Sequence, residues 1–174
     1  MGGVSPPPAG FPAWPPIRTV PTMTATHPQP NPLVADRLGL TGIQHVGLTV
    51  RDLEASIAWY EAVLGLVRLF DEPHHASDAG GHAVVVGTPD MRLCIGLERH
   101  PAHGGERFDP TRTGLDHLSL LVAAPDGLDA WAEHLTAQGI DHSGVYGVEG
   151  LPARFLTFRD PDDIQLELIA MQGA

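Results

Sequence analysis

The chain has 174 residues, enough for one ordinary domain, and 43% of them are apolar, which excludes a wholly disordered chain. Acidic residues outnumber basic ones by 21 to 10, and the formal net charge is -11. Nucleic acids and anionic membranes bind clustered positive charge, so we expect neither as a partner. With no apolar run long enough to cross a membrane and no secretory signal, the sequence predicts a cytoplasmic protein.

The first 40 residues form a proline-rich tail. Ten of the 17 prolines fall within residues 1–32. Because proline fixes φ and lacks an amide donor, this composition favours extended backbone over a packed element. We therefore expect residues 1–40 to be flexible and to lie outside the domain, with an arm that lies on a partner subunit as the alternative.

An internal repeat with a spacing of 72 residues follows the tail. The spacing is the same near both ends of the two copies, which indicates duplication of one supersecondary unit. We therefore predict one domain at 41–171, built from modules at 41–100 and 113–171. The matching segments are Thr41–Val46 with Thr113–Leu118, Trp59 with Trp131, and Pro89-Asp90 with Pro161-Asp162.

Each module is predicted to have the order βαβββ. A β-rich run opens each copy, and a helix with apolar residues on one face follows it. Asp52 is suited to cap the first helix, and Gly65 and Gly139 are suited to end the two helices. Eight strands and two helices predict an α+β fold with curved sheets around an interior. The strands are predicted at 43–50, 67–71, 82–87, 92–98, 115–122, 141–148, 154–159 and 164–170, and the helices at 53–63 and 128–138.

This arrangement resembles the vicinal oxygen chelate superfamily, which includes glyoxalase I, extradiol dioxygenases and the fosfomycin- and bleomycin-resistance proteins. The likeness is carried by the βαβββ repeat with a histidine in its first strand, by Leu64-Gly65-Leu66 at the helix end, and by Arg159-Asp160-Pro161-Asp162 before Glu167. It covers about residues 41–171 and implies curved mixed sheets around a metal-binding cup. One such scaffold hosts many chemistries, so the resemblance specifies the fold and not the substrate.

His45, His117 and Glu167 are the predicted metal ligands. The repeat makes the two histidines equivalent, and a carboxylate among the apolar residues of the last strand would be costly to bury without a cation. In the resembled family these three positions bind a divalent metal. The alternative, two hydrogen-bonded histidines and a solvent-facing glutamate, explains each residue singly but not all three in register.

The repeat also predicts an unfilled ligand position. Glu167 lies 50 residues after His117, and 50 residues after His45 stands Ile95, which cannot bind a metal. Two histidines and one carboxylate with open positions suit Fe(II) first and Mn(II) next. Cys94 is the only cysteine, so a disulfide within the chain is excluded, and alternation places its thiol on the opposite face from Ile95.

Four further residues are candidate catalytic groups. His100 and His103 lie near the place where extradiol dioxygenases carry a proton-handling histidine, with a loop histidine as the alternative. The family's active-site tyrosine, ten residues before the glutamate ligand, corresponds to Thr157. Tyr146 and Arg154 are therefore candidate substitutes, Arg154 as an anchor for a carboxylate or phenolate.

These residues predict an Fe(II)- or Mn(II)-dependent oxygenase or lyase, whose small substrate binds the metal through adjacent oxygens. The alternative is a resistance protein, either a fosfomycin-type transferase or a drug-binding dimer. The transferase needs a basic cluster, which ten arginines and no lysine make difficult to assemble. Exposed sheet edges favour a homodimer, and the sequence leaves open whether modules pair within a chain or across two.

Overall fold

The computed structural model describes residue 39, residues 42–73 and residues 80–172. The chain divides into two compact units, residues 1–43 and residues 44–174. Only residues 39, 42 and 43 of the first unit are described, so the flexibility of the proline-rich tail stays a prediction. None of the described helices is long and apolar enough to cross a membrane.

The second unit has the predicted order βαβββ, twice. Strands β1 and β5 are shorter than predicted and begin one residue after His45 and His117, so neither histidine lies within a strand. The last strand does contain Glu167 near its centre. The elements are β1 Val46–Thr49, α1 Leu53–Leu64, β2 Val67–Pro73, β3 His82–Gly87, β4 Cys94–Arg99, β5 Leu118–Leu121, α2 Gly127–Ala137, β6 Tyr146–Gly147, β7 Ala153–Arg159 and β8 Gln165–Met171.

The strands form two open four-stranded sheets, one from each module. Their orders are β1-β4-β3-β2 and β5-β8-β7-β6. In each sheet the first strand of the module runs parallel to the last, and the other neighbours are antiparallel. These mixed sheets with two helices confirm the predicted α+β class.

Local signals fix the ends of α1. The Asp52 side chain accepts a hydrogen bond from the amide of Ala55 at 3.1 Å, which satisfies one of the free donors of the first turn. Gly65 ends the helix with φ of 67°, a left-handed conformation that glycine adopts without strain. The helix buries the face formed by Leu53, Ser56, Ile57, Tyr60 and Val63.

One apolar core joins both modules and lies on one face of each sheet; the opposite face, called the open face below, has no described helix packed on it. Helix α1 packs on β3 and β4, and α2 packs on β7 and β8. Side chains that point toward the helices are fully buried, and successive residues of a strand point to opposite faces. The sheet faces away from the helices can therefore present polar groups. Fully buried core residues from the two modules include Val50, Tyr60, Val84, Leu97, Leu135, Leu156 and Leu166.

The first module contacts the second through a buried polar cluster. The Tyr60 hydroxyl donates to Asp160 at 3.0 Å, and the Ser56 hydroxyl donates to Asp162 at 3.2 Å. Arg51 forms an ion pair with Asp162 at 2.7 Å. Burial raises the pKa of the Asp160 carboxyl to about 6, against the opposing effect of its hydrogen bonds. Helix α1 is thus held on the turn between β7 and β8.

Candidate metal centre

His117 and Glu167 lie together on the open face of the second sheet. Ser119 is paired with Glu167 across β5 and β8, and His117 precedes Ser119 by two residues, which places it on the same face. The distance from His117 Nε2 to Glu167 Oε1 is 4.0 Å. Nitrogen and oxygen donors bind a metal such as Zn²⁺ at about 2.1 Å, so both atoms can reach one ion between them.

Neighbouring side chains orient both of these donors. Asp116 Oδ1 lies 2.6 Å from His117 Nδ1. Because an ionised carboxylate only accepts hydrogen bonds, Nδ1 is the protonated nitrogen of a neutral His117 imidazole, and in that form Nε2 has its lone pair available for a metal. The Ser119 hydroxyl donates to Glu167 Oε1 at 2.7 Å and fixes the carboxylate.

His45 has the same local arrangement at the start of the first sheet. Its Nδ1 donates to the side-chain oxygen of Gln44, so in the neutral imidazole its Nε2 also has a lone pair. The histidine side chain is exposed. The Nε2 atoms of the two neutral imidazoles and one carboxylate are a set of donors that fits a divalent ion.

One chain does not assemble all three donors. Across residues 42–73 and 80–172, no three histidine, cysteine, aspartate or glutamate side chains are grouped closely enough to hold a metal. The structure brings His117 to Glu167, and it keeps His45 on the other sheet. Binding of a metal by these residues stays a prediction.

The predicted register of the first module is wrong by one residue. In the first module, Val46 is paired with Ile95 and Gly47 with Gly96. At the equivalent positions of the second module, Leu118 is paired with Leu166 and Ser119 with Glu167. Ile95 is only 1% exposed and faces the core. Gly96, not Ile95, is therefore the structural counterpart of Glu167. The reason is the turn between β3 and β4, which has one residue more than the turn between β7 and β8.

Tyr146 lies near Glu167. Its ring stacks on Phe155 with 5.6 Å between centroids, and Phe155 is two residues from Thr157, which is paired with Glu167. Burial raises the pKa of the Tyr146 hydroxyl, and the negative charge of Glu167 adds to this effect. The structure thus brings this predicted residue to the open face of the second sheet.

Arg154 lies on the other face of the same sheet. It is paired with the fully buried Ala170, and its guanidinium binds Asp129 of α2 through two contacts of 3.1 Å. The structure does not bring Arg154 to Glu167. A substrate anchor at this position would have to break an ion pair.

His100 and His103 belong to the connection between the modules. The amide of His103 donates to the His100 carbonyl at 3.0 Å, and His103 Nδ1 accepts from the Gly105 amide at 3.1 Å. His103 lines a cleft of about 370 Å³ together with Thr49 at the end of β1 and with other residues of the connection. That lining includes none of the three predicted ligands.

The residues that orient the histidines were not identified from the sequence. Gln44 and Asp116 immediately precede His45 and His117, so the repeat itself places a polar oxygen before each ligand. This recurrence is a usable signal, because metal-binding histidines commonly donate their second ring N–H to an oxygen. Ser119 carries no such signal, since its partner is distant in sequence.

Comparison with known proteins identifies the family. The model of the Glyoxalase/Bleomycin resistance protein/Dioxygenase superfamily matches residues 42–168. A crystal structure of a glyoxylase/bleomycin resistance protein/dioxygenase domain from Frankia sp. EAN1pec is 33% identical, has a TM-score of 0.67, and covers 78% of this chain and 95% of its own.

Two further proteins are similar. The uncharacterized protein YaeR of Escherichia coli (strain K12) is 27% identical over 131 residues, which are 75% of this chain and 97% of YaeR. The fosfomycin resistance protein FosX from Listeria monocytogenes, crystallised with Mn(II) and sulfate, is 16% identical with a TM-score of 0.53, over 77% of this chain and 95% of that one, and shows the fold alone. The family match extends over most of the chain, which therefore belongs to the Glyoxalase/Bleomycin resistance protein/Dioxygenase superfamily.

Proposed function

We propose that the protein is a metal-dependent oxygenase or lyase acting on a small substrate that presents two adjacent oxygens. The observation that carries this proposal is the His117–Glu167 pair, with His117 Nε2 and Glu167 Oε1 4.0 Å apart and with Asp116 beside the other imidazole nitrogen. A divalent ion held there, Fe(II) first or Mn(II) next, would bind both substrate oxygens and lower their pKa.

The complete site is proposed to form between two copies of the chain. His45 of one copy would join His117 and Glu167 of the other, because one chain does not group the three donors within its described residues. Leu121 supports this arrangement, since it is 75% exposed and its side chain lies on the Glu167 face. A second copy would cover this side chain and complete the ligand set.

Tyr146 is the substrate-facing residue that the geometry favours. A tyrosine hydroxyl is protonated at neutral pH, and burial raises the pKa of Tyr146 further, so it would donate a hydrogen bond to a substrate oxygen rather than remove a proton. His100 and His103 remain proposed proton carriers for a substrate that extends into the cleft beside the connection. The anchoring role of Arg154 requires its release from Asp129.

Metal analysis of protein purified without chelator tests the proposal. We expect close to one transition-metal ion per chain. Less than about a tenth of an equivalent would contradict the proposal that the protein is a metal-dependent enzyme. His117→Ala and Glu167→Ala should each weaken metal binding by more than about 100-fold, because each removes a direct ligand. His82→Ala, at the exposed start of β3, is the matched control and should bind metal normally. Oxygen uptake on catechols and enolisable diketones then separates oxygenase from lyase.

Mixing two inactive variants tests the assembly. His45→Ala and His117→Ala each lack one ligand, but a mixed dimer places the intact His45 of one copy beside the intact His117 of the other. Random mixing should restore about a quarter of the wild-type metal sites, because half of the dimers are mixed and each has one intact site. A site within a single chain would show no restoration.

A resistance protein is the second candidate, and FosX, a fosfomycin resistance protein crystallised with Mn(II), has a similar fold. Most described arginines are already paired with acidic side chains, which disfavours a phosphonate substrate. The exposed Leu121 instead favours an apolar drug bound between two copies. Drug binding that persists after complete metal removal would support this candidate. The paired arginines are Arg51, Arg68, Arg92, Arg107, Arg112 and Arg154.

A further inference from the structure

Arg159 places a guanidinium on the open face of the second sheet, the face that carries Glu167. Thr157 is paired with Glu167 across β7 and β8, and Arg159 lies two residues further along β7. Because residues two apart on a strand point to the same side, Arg159 is the diagonal neighbour of Glu167 on this face. The Cα atoms of such a diagonal pair are about 7–8 Å apart, a distance that long side chains can span.

The guanidinium of Arg159 is held by neutral oxygens. Its Nη1 donates to the Asp163 carbonyl at 2.6 Å, and its Nη2 donates to the side-chain oxygen of Gln165 at 3.3 Å. The Asp163 carboxylate is bound instead by Arg107 at 2.7 Å. Within the described part of the chain, Arg159 therefore has a fixed direction and no carboxylate partner.

Arg159 is the only arginine on this face among the strands of the second sheet, all of which the structure describes. These four strands contain two arginines, and the chain has no lysine. The other arginine, Arg154, is paired with the buried Ala170 and binds Asp129 on the opposite face. A carboxylate that approaches the open face of this sheet therefore meets one arginine, Arg159.

The open face changes from apolar to charged along its length. Tyr146 and Phe155 stack at one end, and Ile169, which is paired with Phe155, extends this apolar surface. Arg159 lies at the other end, four residues further along β7. A substrate bound beside Glu167 thus has an aromatic surface in one direction and a cation in the other.

We propose that Arg159 determines substrate specificity by binding a carboxylate group of the substrate. This inference rests on the proposed function and adds a chemical class: the substrate carries a carboxylate as well as two adjacent oxygens. A guanidinium binds a carboxylate through two parallel N–H groups, and each Nη atom of Arg159 has one N–H left after its bond to Asp163 or Gln165. Unlike Arg154, Arg159 does not have to leave an ion pair to do so.

Two hydroxamates that differ in one charge test the inference on Mn(II)-loaded protein. A hydroxamate presents two adjacent oxygens to a metal, whatever the natural substrate is. Succinate monohydroxamate carries a carboxylate on a flexible chain, and its carboxamide analogue has the same shape without the charge. Isothermal titration calorimetry should show at least about tenfold tighter binding of the carboxylate compound by the wild-type protein. The same pair built on glutarate extends the reach by one methylene.

Substitution of Arg159 should remove the preference without removing the binding site. Arg159→Gln should bind both compounds with about the affinity that wild type has for the carboxamide. Arg159→Lys keeps the charge and should retain part of the preference, because one ammonium replaces a two-pronged contact. Arg92→Gln, on the exposed turn between β3 and β4, removes the same charge and should keep the full preference.

A purely structural role would give a different pattern. If Arg159 only ties Asp163 to β7, Arg159→Gln would lose affinity for both hydroxamates equally, and the inference would be overturned. Equal affinity of the wild-type protein for the two compounds would also overturn it and leave the proposed function intact. A wild-type protein that binds neither hydroxamate in the presence of Mn(II) would overturn the proposed function, and this inference with it.

Discussion

The turn before the last strand differs between the two modules, although the strands and helices follow the same order. Residues 88–93 form the turn between β3 and β4, and residues 160–164 form the shorter turn between β7 and β8. Because side chains alternate along a strand, one extra residue reverses which residues of β4 face the core. The matching motifs end within the turns, at Pro89-Asp90 and Pro161-Asp162, and therefore do not establish the register of the strand that follows.

The two turns also differ in what covers them. Asp160 and Asp162 are about 5% exposed beneath α1, whereas Thr88 and Asp90 bond each other at the surface. Tyr60, which reaches Asp160, is replaced in the repeat by Ala132, which has no hydroxyl to reach the first turn. The shorter turn therefore lies at the junction of the modules, and the longer turn lies at the surface.

The largest expected effect concerns the shifted register. Ile95→Glu should destabilise the protein by roughly 3–5 kcal/mol, since it puts an unpaired charge into the core. Gly96→Glu should destabilise it less, because a Cβ atom at this position meets nothing closer than 3.5 Å. Thermal unfolding of the metal-free proteins should show a fall in Tm of about 10 °C for the first variant and only a few degrees for the second. The opposite order would contradict the pairing of β1 with β4.

The sequence predicted those features that are encoded locally or by periodicity. Capping by Asp52 and termination at Gly65 follow from neighbouring residues, and the order of strands follows from alternating apolar runs. The length of the turn between β3 and β4 could not be predicted, because turn residues carry no hydrophobic period. The side of the sheet on which Arg154 lies could not be predicted either. The residues that follow it, Phe155–Phe158, are all buried, so this strand shows no alternation of buried and exposed side chains. The contact between Tyr60 and Asp160 could not be predicted either, because no local or periodic pattern links residues so far apart in the sequence.

An intermediate effect is expected at the junction and depends on pH. The folded protein binds the Asp160 proton more tightly than the unfolded chain, because the pKa is raised from 3.8 to about 6. This group therefore stabilises the fold most below about pH 4, and up to about 3 kcal/mol of that contribution is lost as the pH rises to about 6. Asp160→Asn should remove this dependence.

Urea unfolding between pH 4 and pH 7 measures the effect. Asparagine keeps the side-chain oxygen that accepts from the amides of Asp162 and Ile164 at 2.8 Å, so the turn is preserved. Asp141→Asn, at an exposed position, is the control and should retain the wild-type pH profile. A wild-type profile in Asp160→Asn would show that this carboxyl does not titrate differently on folding.

The smallest expected effect concerns the side chain that orients Glu167. The Ser119 hydroxyl donates to Glu167 at 2.7 Å, while Gly47, the counterpart of Ser119 in the first module, has no side chain. Ser119→Ala should therefore weaken Mn(II) binding by about tenfold at most, since it removes orientation and not a ligand. Because Ser119 is exposed, Tm should change little, and Ser119→Thr should retain the affinity by keeping the hydroxyl. Equal losses in Ser119→Ala and Ser119→Thr would mean that bulk, not the hydrogen bond, controls the position of Glu167.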